Sequence, residues 1–357
     1  MSVTFPKKIE SGMFPKGHVQ GIAIDQTRGY VYYSFTTSLV KTDLQGKLIG
    51  TVEGLTGHLG CIDINKENGK VYGSLEYKND AIGRGIFQGL LGREGAPLTN
   101  AFYIAIFDVE RITDVGMDAE RDGIMRAVYL PDVTEDFDAK GIGGDHRYAC
   151  SGCDGTAFGP VFGAGEDTPY MLMLAYGIYS DTEREDNDHQ IILQYDWRQF
   201  EAYAKPLTQE APHQSGPRAD ARYFAFTGNT NWGVQNLYYD GEHAQWMLFV
   251  YRGKKSQYPN YGLYLVDAAK AAERKPLVGL DGEVGALLTL KTLGNVHEES
   301  GICGFDIDLG QFGVHGLGDN LFYLARPTKQ TTPFKAQGAT LELYRYTGKA
   351  PAGFELL

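Results

Sequence analysis

A short apolar strand that ends in a polar residue and a turn recurs five times in this chain, and it constrains the fold more than any other feature. The five strands end at Asp43, Asp108, Asp196, Asp267 and Thr347. A glycine-framed opening precedes each of them, as in Gly57-His58-Leu59-Gly60 and Gly152-Cys153-Asp154-Gly155. Two independent patterns in the same order predict a repeat architecture, in which each unit stacks on its neighbours.

The first unit shows the predicted strand order most clearly. Its apolar runs at 18–25, 30–36, 39–43 and 47–52 are separated by short turns, which predicts four antiparallel strands. A sheet of this size is twisted and cannot bury both faces alone, so the units must close into a ring. The segments VYYS…LVKTD, VYGS…IAIFD and WMLFVYR…LYLVD resemble the β-propeller superfamily, and the resemblance covers essentially the whole chain. It implies an all-β fold but no activity, since five-bladed propellers include glycoside hydrolases, nucleotide hydrolases, cyclases and lectins.

We therefore predict a single five-bladed β-propeller domain over residues 1–357, built from four-stranded antiparallel blades. The predicted blades are 17–56, 57–132, 150–207, 228–293 and 300–357, and residues 1–12 close the ring. Six blades are the alternative, if 132–149 contains further strands. Within this scheme the outer strands of units three and four are Phe200–Leu207 and Ala286–Leu293, and the inner strand of unit five is Ile302–Leu309. Asp267–Arg274 is the one predicted helix.

The charge of the chain limits its partners. The formal net charge is −12 and the isoelectric point is near 5.2, which argues against nucleic acid or an anionic membrane as a partner. The N-terminal residues lack the apolar core of a secretory signal, so we expect a soluble, cytoplasmic protein. A secreted protein whose sequence had been trimmed would look the same. The expected partner is a small molecule or an oligosaccharide, and the sequence leaves the oligomeric state open.

Four cysteines are too few for a disulfide framework in a chain of this length. Cys150 and Cys153 have CxxC spacing, but no second CxxC completes a tetrahedral metal site. We interpret them as unpaired thiols, with a local disulfide or half of a metal site as alternatives. Cys61 and Cys303 lie in strand openings and are expected to be small buried residues.

Polar side chains at the predicted strand openings are the first candidates for a site. His18, Gln20, His58, Asp154 and Asn231 fall at openings that should converge near the axis, and His315 lies in a glycine-rich segment of the fifth unit. These side chains either solvate a water-filled channel or form a functional site. Imidazoles from separate strands can transfer protons or bind a divalent ion. His18 and His58, completed by His315 or Asp154, are the predicted metal ligands, and Ca²⁺, Mn²⁺ and Zn²⁺ are not distinguished.

Two loops and two strands supply further candidates. His146 and Arg147 end a long loop, where they would act as a base and as a carboxylate ligand, or form a solvated loop tip. Arg326 is either an anion clamp or a paired structural arginine, and Trp232 either stacks on a sugar ring or packs in the core. Glu76 is interpreted as a channel-facing general acid or as a surface partner of Lys78.

The sequence lacks GxSxG, P-loop, HExxH and dinucleotide-binding patterns, so no nucleotide cofactor is expected. We predict a carbohydrate-active hydrolase or lyase, with possible assistance by a divalent metal, at the central channel. The alternatives are a non-catalytic glycan- or protein-binding propeller and a purely structural repeat. The predicted catalytic residues are His18, His58, His146, Asp154 and His315. The predicted substrate-binding residues are Gln20, Arg147, Asn231, Trp232 and Arg326.

Overall fold

Five β-sheets surround one axis in the computed structural model, which describes residues 5–94, 99–332 and 335–357. The inner strands of blades one to five are Val19–Asp25, His58–Ile64, Cys150–Gly159, Thr230–Asp240 and Val314–Gly318. Each inner strand contacts the next, and the fifth contacts the first. The predicted five-bladed propeller is confirmed. The six-bladed alternative is wrong, because residues 131–149 form a helix, a two-residue ribbon and a helical turn.

Blades one and two follow the repeat closely. Blade one continues through Tyr30–Phe35, Ser38–Asp43 and Leu48–Glu53, and Met117–Asp118 adds a short parallel strand at its outer edge. Blade two continues through Val71–Tyr77, Ala101–Phe107 and Met125–Tyr129. All other pairings in these two sheets are antiparallel, as expected for strands joined by short turns.

Blades three and four differ from the prediction at their outer edges. The strands that follow the inner strand of blade three are Met171–Ile178, His189–Tyr195 and Ala221–Phe226. The predicted outer strand Phe200–Leu207 is wrong, because the 3₁₀ helix Trp197–Ala202 overlaps its start and Ala221–Phe226 takes the outer position. Blade four continues through Gln245–Arg252 and Leu263–Asp267. Of the predicted outer strand Ala286–Leu293, Leu290 forms an isolated antiparallel bridge with Val266 at the edge of this blade. The next segment crosses over, so that Val284–Leu287 pairs in parallel with Ala221–Phe226 of blade three and carries Glu273–Pro276 at the edge. The predicted helix Asp267–Arg274 is therefore wrong, because sheet pairing overrides the helix propensity of its alanines.

Blade five joins the two ends of the chain. It contains Leu321–Gln330 and Ala336–Tyr346, and the N-terminal strand Lys8–Phe14 pairs with the latter. Phe354–Leu356 pairs with the end of the same strand. Residues 1–4 of the predicted closing segment lie outside the described residues. The predicted inner strand Ile302–Leu309 is wrong, because Cys303–Gly304 pairs only with Asn295–Val296 and the inner position belongs to Val314–Gly318.

Short helices occupy the connections. The α-helices are Ala81–Arg84 and Pro131–Asp138, a π-helix spans Gly85–Leu90, and 3₁₀ turns span Val109–Arg111, Arg147–Ala149, Trp197–Ala202 and Gly241–His243. No helix among the described residues is long and apolar enough to cross a bilayer.

The hydrophobic core is divided among the interfaces between blades. Five buried clusters are present in the described residues, and each joins one neighbouring pair of blades. Tyr32 and Tyr103 belong to the cluster between blades one and two, for example, and Trp246 to the one between blades three and four. Because no blade has a core of its own, the ring stabilises itself only when it closes. Closure places all five inner strands side by side around the axis.

Candidate functional site

The inner strands all start at one end of the axis, and we call this end the channel mouth, defined by His18, Gln20, His58, Asp154, Trp232 and Gln235. Gln20 is buried, and its Nε2 lies 3.0 Å from His18 Nε2 and 3.3 Å from Thr36 Oγ1. On the opposite wall, Gln235 Nε2 donates to Asp154 Oδ2 at 3.2 Å and to the Trp232 carbonyl at 2.9 Å. Residues from blades one, two, three and four are thus brought together at the mouth.

A buried ion pair supports the wall of blade two. Lys78 Nζ lies 2.9 Å from Glu76 Oε2, donates to the Ser151 carbonyl at 2.6 Å and lies 4.0 Å from Asp80 Oδ2. Glu76 Oε1 accepts from the Cys153 N–H at 2.6 Å. The partnership of Glu76 with Lys78 is thus present in the structure, but both side chains are buried and the pair is not at the surface.

His58 lies between the two carboxyl groups of the mouth. His58 Nδ1 is 3.3 Å from Glu76 Oε2 and 3.8 Å from Asp154 Oδ1, distances of ion pairs without aligned hydrogen bonds. Burial opposes protonation of His58, but the Glu76 and Asp154 carboxylates outweigh it and raise the pKa of the imidazole. For Glu76 the balance is reversed, because Lys78 and His58 overcome burial and lower the pKa of the carboxyl.

The pKa of Asp154 lies far above the ordinary value of an aspartate. Burial, followed by the charge of Glu76, raises the pKa of Asp154 to about 7, against the opposing effect of His58 and Lys78. Its side chain is 12% exposed, whereas the Glu76 side chain is 1% exposed. Asp154 can therefore meet a ligand and Glu76 cannot. Burial and the positive field of His58 lower the pKa of His18 to about 4, so His18 is neutral near pH 7.

Two glycines make room for these carboxyl groups. A Cβ at Gly152, whose φ is +122°, would lie 1.9 Å from Glu76 Oε1. A Cβ at Gly60 would lie 2.5 Å from Asp154 Oδ1. The glycine-framed openings that reveal the repeat are therefore also what allows the two carboxyl groups to approach the axis.

Aromatic rings border the mouth. The half-buried Trp232 ring lies 5.7 Å from Tyr179, whose hydroxyl donates to Asp80 Oδ2 at 2.8 Å. Phe312 lies 6.3 Å from the His18 ring and 5.6 Å from the Tyr251 ring. Trp232 has a φ of +70°, a backbone region that bulky residues rarely adopt and that is often found at functional sites. A polar floor with half-buried rings around it suits a ligand that has both hydroxyl groups and apolar faces.

The axis is closed below the mouth. Asn236 Nδ2 of blade four donates to the Gln20 carbonyl at 2.8 Å and to the Gln311 carbonyl at 3.1 Å. Cys61 Sγ of blade two lies 3.3 Å from Asn236 Oδ1 and 3.4 Å from the Thr156 carbonyl. These contacts cross the axis and connect all five blades. They separate the mouth from a cavity at the opposite end of the axis, where the inner strands finish, which we call the far cavity.

Several predicted site residues do not lie at the mouth. His315 lines the far cavity, so it does not join His18 and His58 as a third metal ligand. His146 packs against Phe137 and Tyr179, and its Nδ1 contacts the Phe137 carbonyl. The Tyr179 ring, which contacts both His146 and Trp232, connects His146 to the mouth. Arg147 pairs with Asp136 at 3.0 Å, and Arg326 pairs with Glu342 at 2.6 Å on the face of blade five. Asn231 lies beside Trp232 and is half-buried.

The four cysteines are free and buried, as expected for unpaired thiols. Within the described ranges, the one group of three residues whose ligand atoms lie within 4.8 Å of one another is Asp240, Glu242 and His243, beside the far cavity. Asp240 already accepts from His243 and Gln245, and Glu242 from backbone N–H groups. This cluster is therefore explained by its own contacts.

Sequence reasoning missed Gln235 as an Asp154 partner and did not anticipate the roles of Lys78, Tyr251 and Phe312 in the mouth. Lys78 directly follows the second strand of blade two, and Tyr251 lies near the end of the second strand of blade four, so no pattern in the glycine-framed openings could reveal them. The alternation Glu76-Tyr77-Lys78 does place both charges on one face of a strand.

No family model matches the chain, and no curated protein matches it. Among solved structures it is similar to the soluble aldose sugar dehydrogenase of Escherichia coli in its apo form. The sequence identity is 8%, the match covers 94% of this chain and 98% of that chain, and the TM-score is 0.39. A similarity at this level carries no argument about activity, so the function must be argued from the mouth itself.

Proposed function

We propose that the protein is a carbohydrate-active hydrolase whose active site is the channel mouth. The observation that carries this proposal is Asp154, a buried carboxyl group whose side chain is still 12% exposed, with a pKa of about 7 and a distance of 3.8 Å to His58 Nδ1. A carboxylic acid that keeps its proton near neutral pH is what protonation of a glycosidic oxygen requires. The bordering rings Trp232, Tyr251 and Phe312 suit the apolar faces of a sugar.

In the proposed reaction, Asp154 gives its proton to the leaving oxygen as the bond between that oxygen and the sugar carbon breaks. A water molecule adds to the same carbon, and its proton goes to His18, whose imidazole is neutral near pH 7. Glu76 does not touch the substrate in this scheme. Its buried charge raises the pKa of Asp154 and helps hold His58 in place.

Hydrolysis is favoured over β-elimination because of where the arginines lie. Elimination from a uronic acid needs a cation that neutralises the substrate carboxylate. Arg147 and Arg326, the two residues predicted for that role, pair with Asp136 and Glu342 away from the mouth. Lys78 is buried and engaged by Glu76. A neutral glycoside fits this mouth better than a uronate does.

The test compares aryl and alkyl glycosides in the wild type and in Asp154→Asn. Loss of a general acid matters most when the leaving group is poor, so the variant should lose at least about a hundredfold in kcat/KM on alkyl glycosides. It should lose much less on dinitrophenyl glycosides, whose leaving group needs no proton. An equal loss on both substrates would exclude Asp154 as the acid.

A matched control is Asp306→Asn, which removes a partly exposed carboxylate that pairs with Arg252 at 2.6 Å. Arg252 keeps Asp308 as a partner, so this variant should retain wild-type turnover. Formation of an unsaturated sugar by the wild type would identify a lyase instead. Saturable glycan binding without turnover of any glycoside would identify the non-catalytic alternative.

The metal-assisted version of the proposal makes a different measurable claim. His18, His58 and Asp154 would be the donors, although their ligand atoms do not all lie within 4.8 Å of one another in this structure, and Asp154 would have to be ionised to bind the ion. Elemental analysis of the wild type and of His18→Ala decides between the versions. A stoichiometric divalent ion that is lost in His18→Ala supports metal assistance and removes Asp154 from the role of proton donor.

A further inference from the structure

The far cavity has the size of a ligand site and is separate from the mouth. Its volume is about 670 Å³, within the range of small-molecule pockets. It lies where the inner strands end, between Asp63 and Ile64 of blade two and Tyr238 to Asp240 of blade four. The contacts of Asn236 across the axis close it off from the mouth.

One wall of the far cavity is aromatic. Tyr170 and Tyr239 lie 5.7 Å apart in an edge-to-face arrangement, and Trp197 and Phe158 continue the wall. Tyr170 and Trp197 are only partly buried, so part of each ring is open to the solvent. Ring faces of this kind attract both sugar C–H groups and organic cations.

The charge of the lining is strongly negative. Asp63, Glu67, Glu166, Asp240 and Glu242 line the cavity, and Lys66 is the one lysine or arginine in that lining. A concave surface with this balance concentrates cations and repels carboxylates and phosphates. Four of the acids are engaged by protein donors. Glu67 pairs with Arg198, Glu242 accepts from backbone N–H groups, Asp240 accepts from His243, and Glu166 accepts from the Tyr239 hydroxyl at 3.2 Å.

Asp63, like Glu166 and Glu242 of the same lining, forms no ion pair within the part of the chain that the structure describes. Its oxygens accept from the Phe158 N–H at 2.9 Å and the Ile64 N–H at 2.8 Å. Burial raises its pKa to about 6, and the charge of Lys66 offsets this effect only in part. An ammonium group beside Asp63 would stabilise the carboxylate further.

His315 gives a second, independent indication of a ligand. Its side chain is 5% exposed, it lines the cavity, and no hydrogen bond to a described residue satisfies its ring nitrogens. Its ring lies 6.0 Å from that of Tyr238. Burial lowers its pKa to about 3, so the imidazole is neutral and can bond a hydroxyl group. A ring nitrogen that faces the cavity without a described protein partner is free to bond a hydroxyl group of a ligand there.

We propose that the far cavity binds a cationic, hydroxyl-bearing ligand of the amino-sugar class. Its ammonium group pairs with Asp63, its hydroxyl groups bond His315, and its apolar face packs on Tyr170 and Trp197. This site is independent of the reaction proposed at the mouth. The two could fail or succeed separately, because different variants affect them.

The test is calorimetric titration at pH 7.5 with three sugars of the same ring and different charge, which are glucosamine, glucose and glucuronate. Glucosamine should bind saturably, glucose at least about tenfold more weakly, and glucuronate without a measurable signal. Asp63→Asn should weaken glucosamine binding at least about tenfold and reduce its preference over glucose. Asp154→Asn at the mouth should leave the titration unchanged.

Tyr170→Ala is a second variant that tests the site even if Asp63→Asn does not fold. Tyr170 is partly exposed, and loss of its ring should weaken the binding of glucosamine and of glucose alike. Absence of glucosamine binding to the wild type would overturn the proposal. Equal binding of the three sugars, or a loss of binding in Asp154→Asn with none in Asp63→Asn, would also overturn it. This test measures sugar binding at the far cavity and does not depend on glycoside turnover at the mouth.

Discussion

Lys78 Nζ lies 2.9 Å from Glu76 Oε2 although the two side chains are only 5% and 1% exposed. Breaking a buried ion pair leaves one uncompensated charge, which typically costs about 3–5 kcal/mol. We therefore expect Glu76→Gln to lower the free energy of unfolding by about that amount, measured by urea denaturation. The double variant Glu76→Gln/Lys78→Met should recover part of the loss, because it removes both charges. A double variant as unstable as the sum of the single ones would contradict a direct coupling.

The displaced pKa values at the mouth predict the pH dependence of glycoside turnover. Asp154 must be protonated, so kcat/KM should fall as the pH rises through about 7, and His18 must be neutral, so it should fall as the pH drops through about 4. The result is a bell-shaped profile with its maximum between these values. Initial rates in buffers of constant ionic strength check it.

Glu76 provides the control for that profile. Its charge is the second cause of the raised pKa of Asp154, so Glu76→Gln should move the alkaline limb to lower pH. The acid limb, which depends on His18, should shift less. An alkaline limb that stays in place in the variant would mean that another group controls it.

The repeat could be predicted from the sequence because the glycine-framed openings are required by close packing at the axis. Gly60 and Gly152 lie beside Asp154 and Glu76, and any Cβ there would overlap a carboxylate. The predicted inner strand of unit five is wrong because the glycine-framed segment Gly301-Ile302-Cys303-Gly304 has the same pattern but lies outside blade five. The true inner strand, Val314–Gly318, has few large apolar residues to mark it.

The sequence indicates residues of the mouth only where they stand at the start of an inner strand. His18, Gln20, His58, Asp154 and Trp232 stand at strand openings, and the ring brings them to one end of the axis. The sequence pattern does not distinguish one end of the axis from the other. It therefore predicts His315 together with residues that begin their strands, although His315 lies at the far cavity. Arg147 and Arg326 have the charge that a substrate carboxylate needs, but Asp136 and Glu342 engage them instead.

His189 makes stability depend on pH. Its ring nitrogens are buried without hydrogen-bond partners, and burial lowers its pKa to about 4. Between these two pKa values the His189 imidazole is protonated in the unfolded chain, where its pKa is near 6.5, but not in the folded chain. The stability that the neutral side chain contributes is therefore lost as the pH falls from about 6.5 towards 4. Between pH 7.5 and 5 the loss should be about 2 kcal/mol. Urea denaturation at both pH values should show a smaller difference for His189→Leu, and an undiminished one would contradict this assignment.

Trp232 combines a strained backbone with a ring at the mouth, and two substitutions separate these properties. Its φ of +70° costs an L-residue roughly 1 kcal/mol that glycine does not lose. We therefore expect Trp232→Gly to be more stable than Trp232→Ala by about that amount in thermal or urea unfolding. Both variants lose the ring, so both should raise KM for glycosides about tenfold while kcat changes little, because stacking acts on the bound sugar and its transition state alike. A fall in kcat at unchanged KM in both variants would instead place the Trp232 ring in the chemical step.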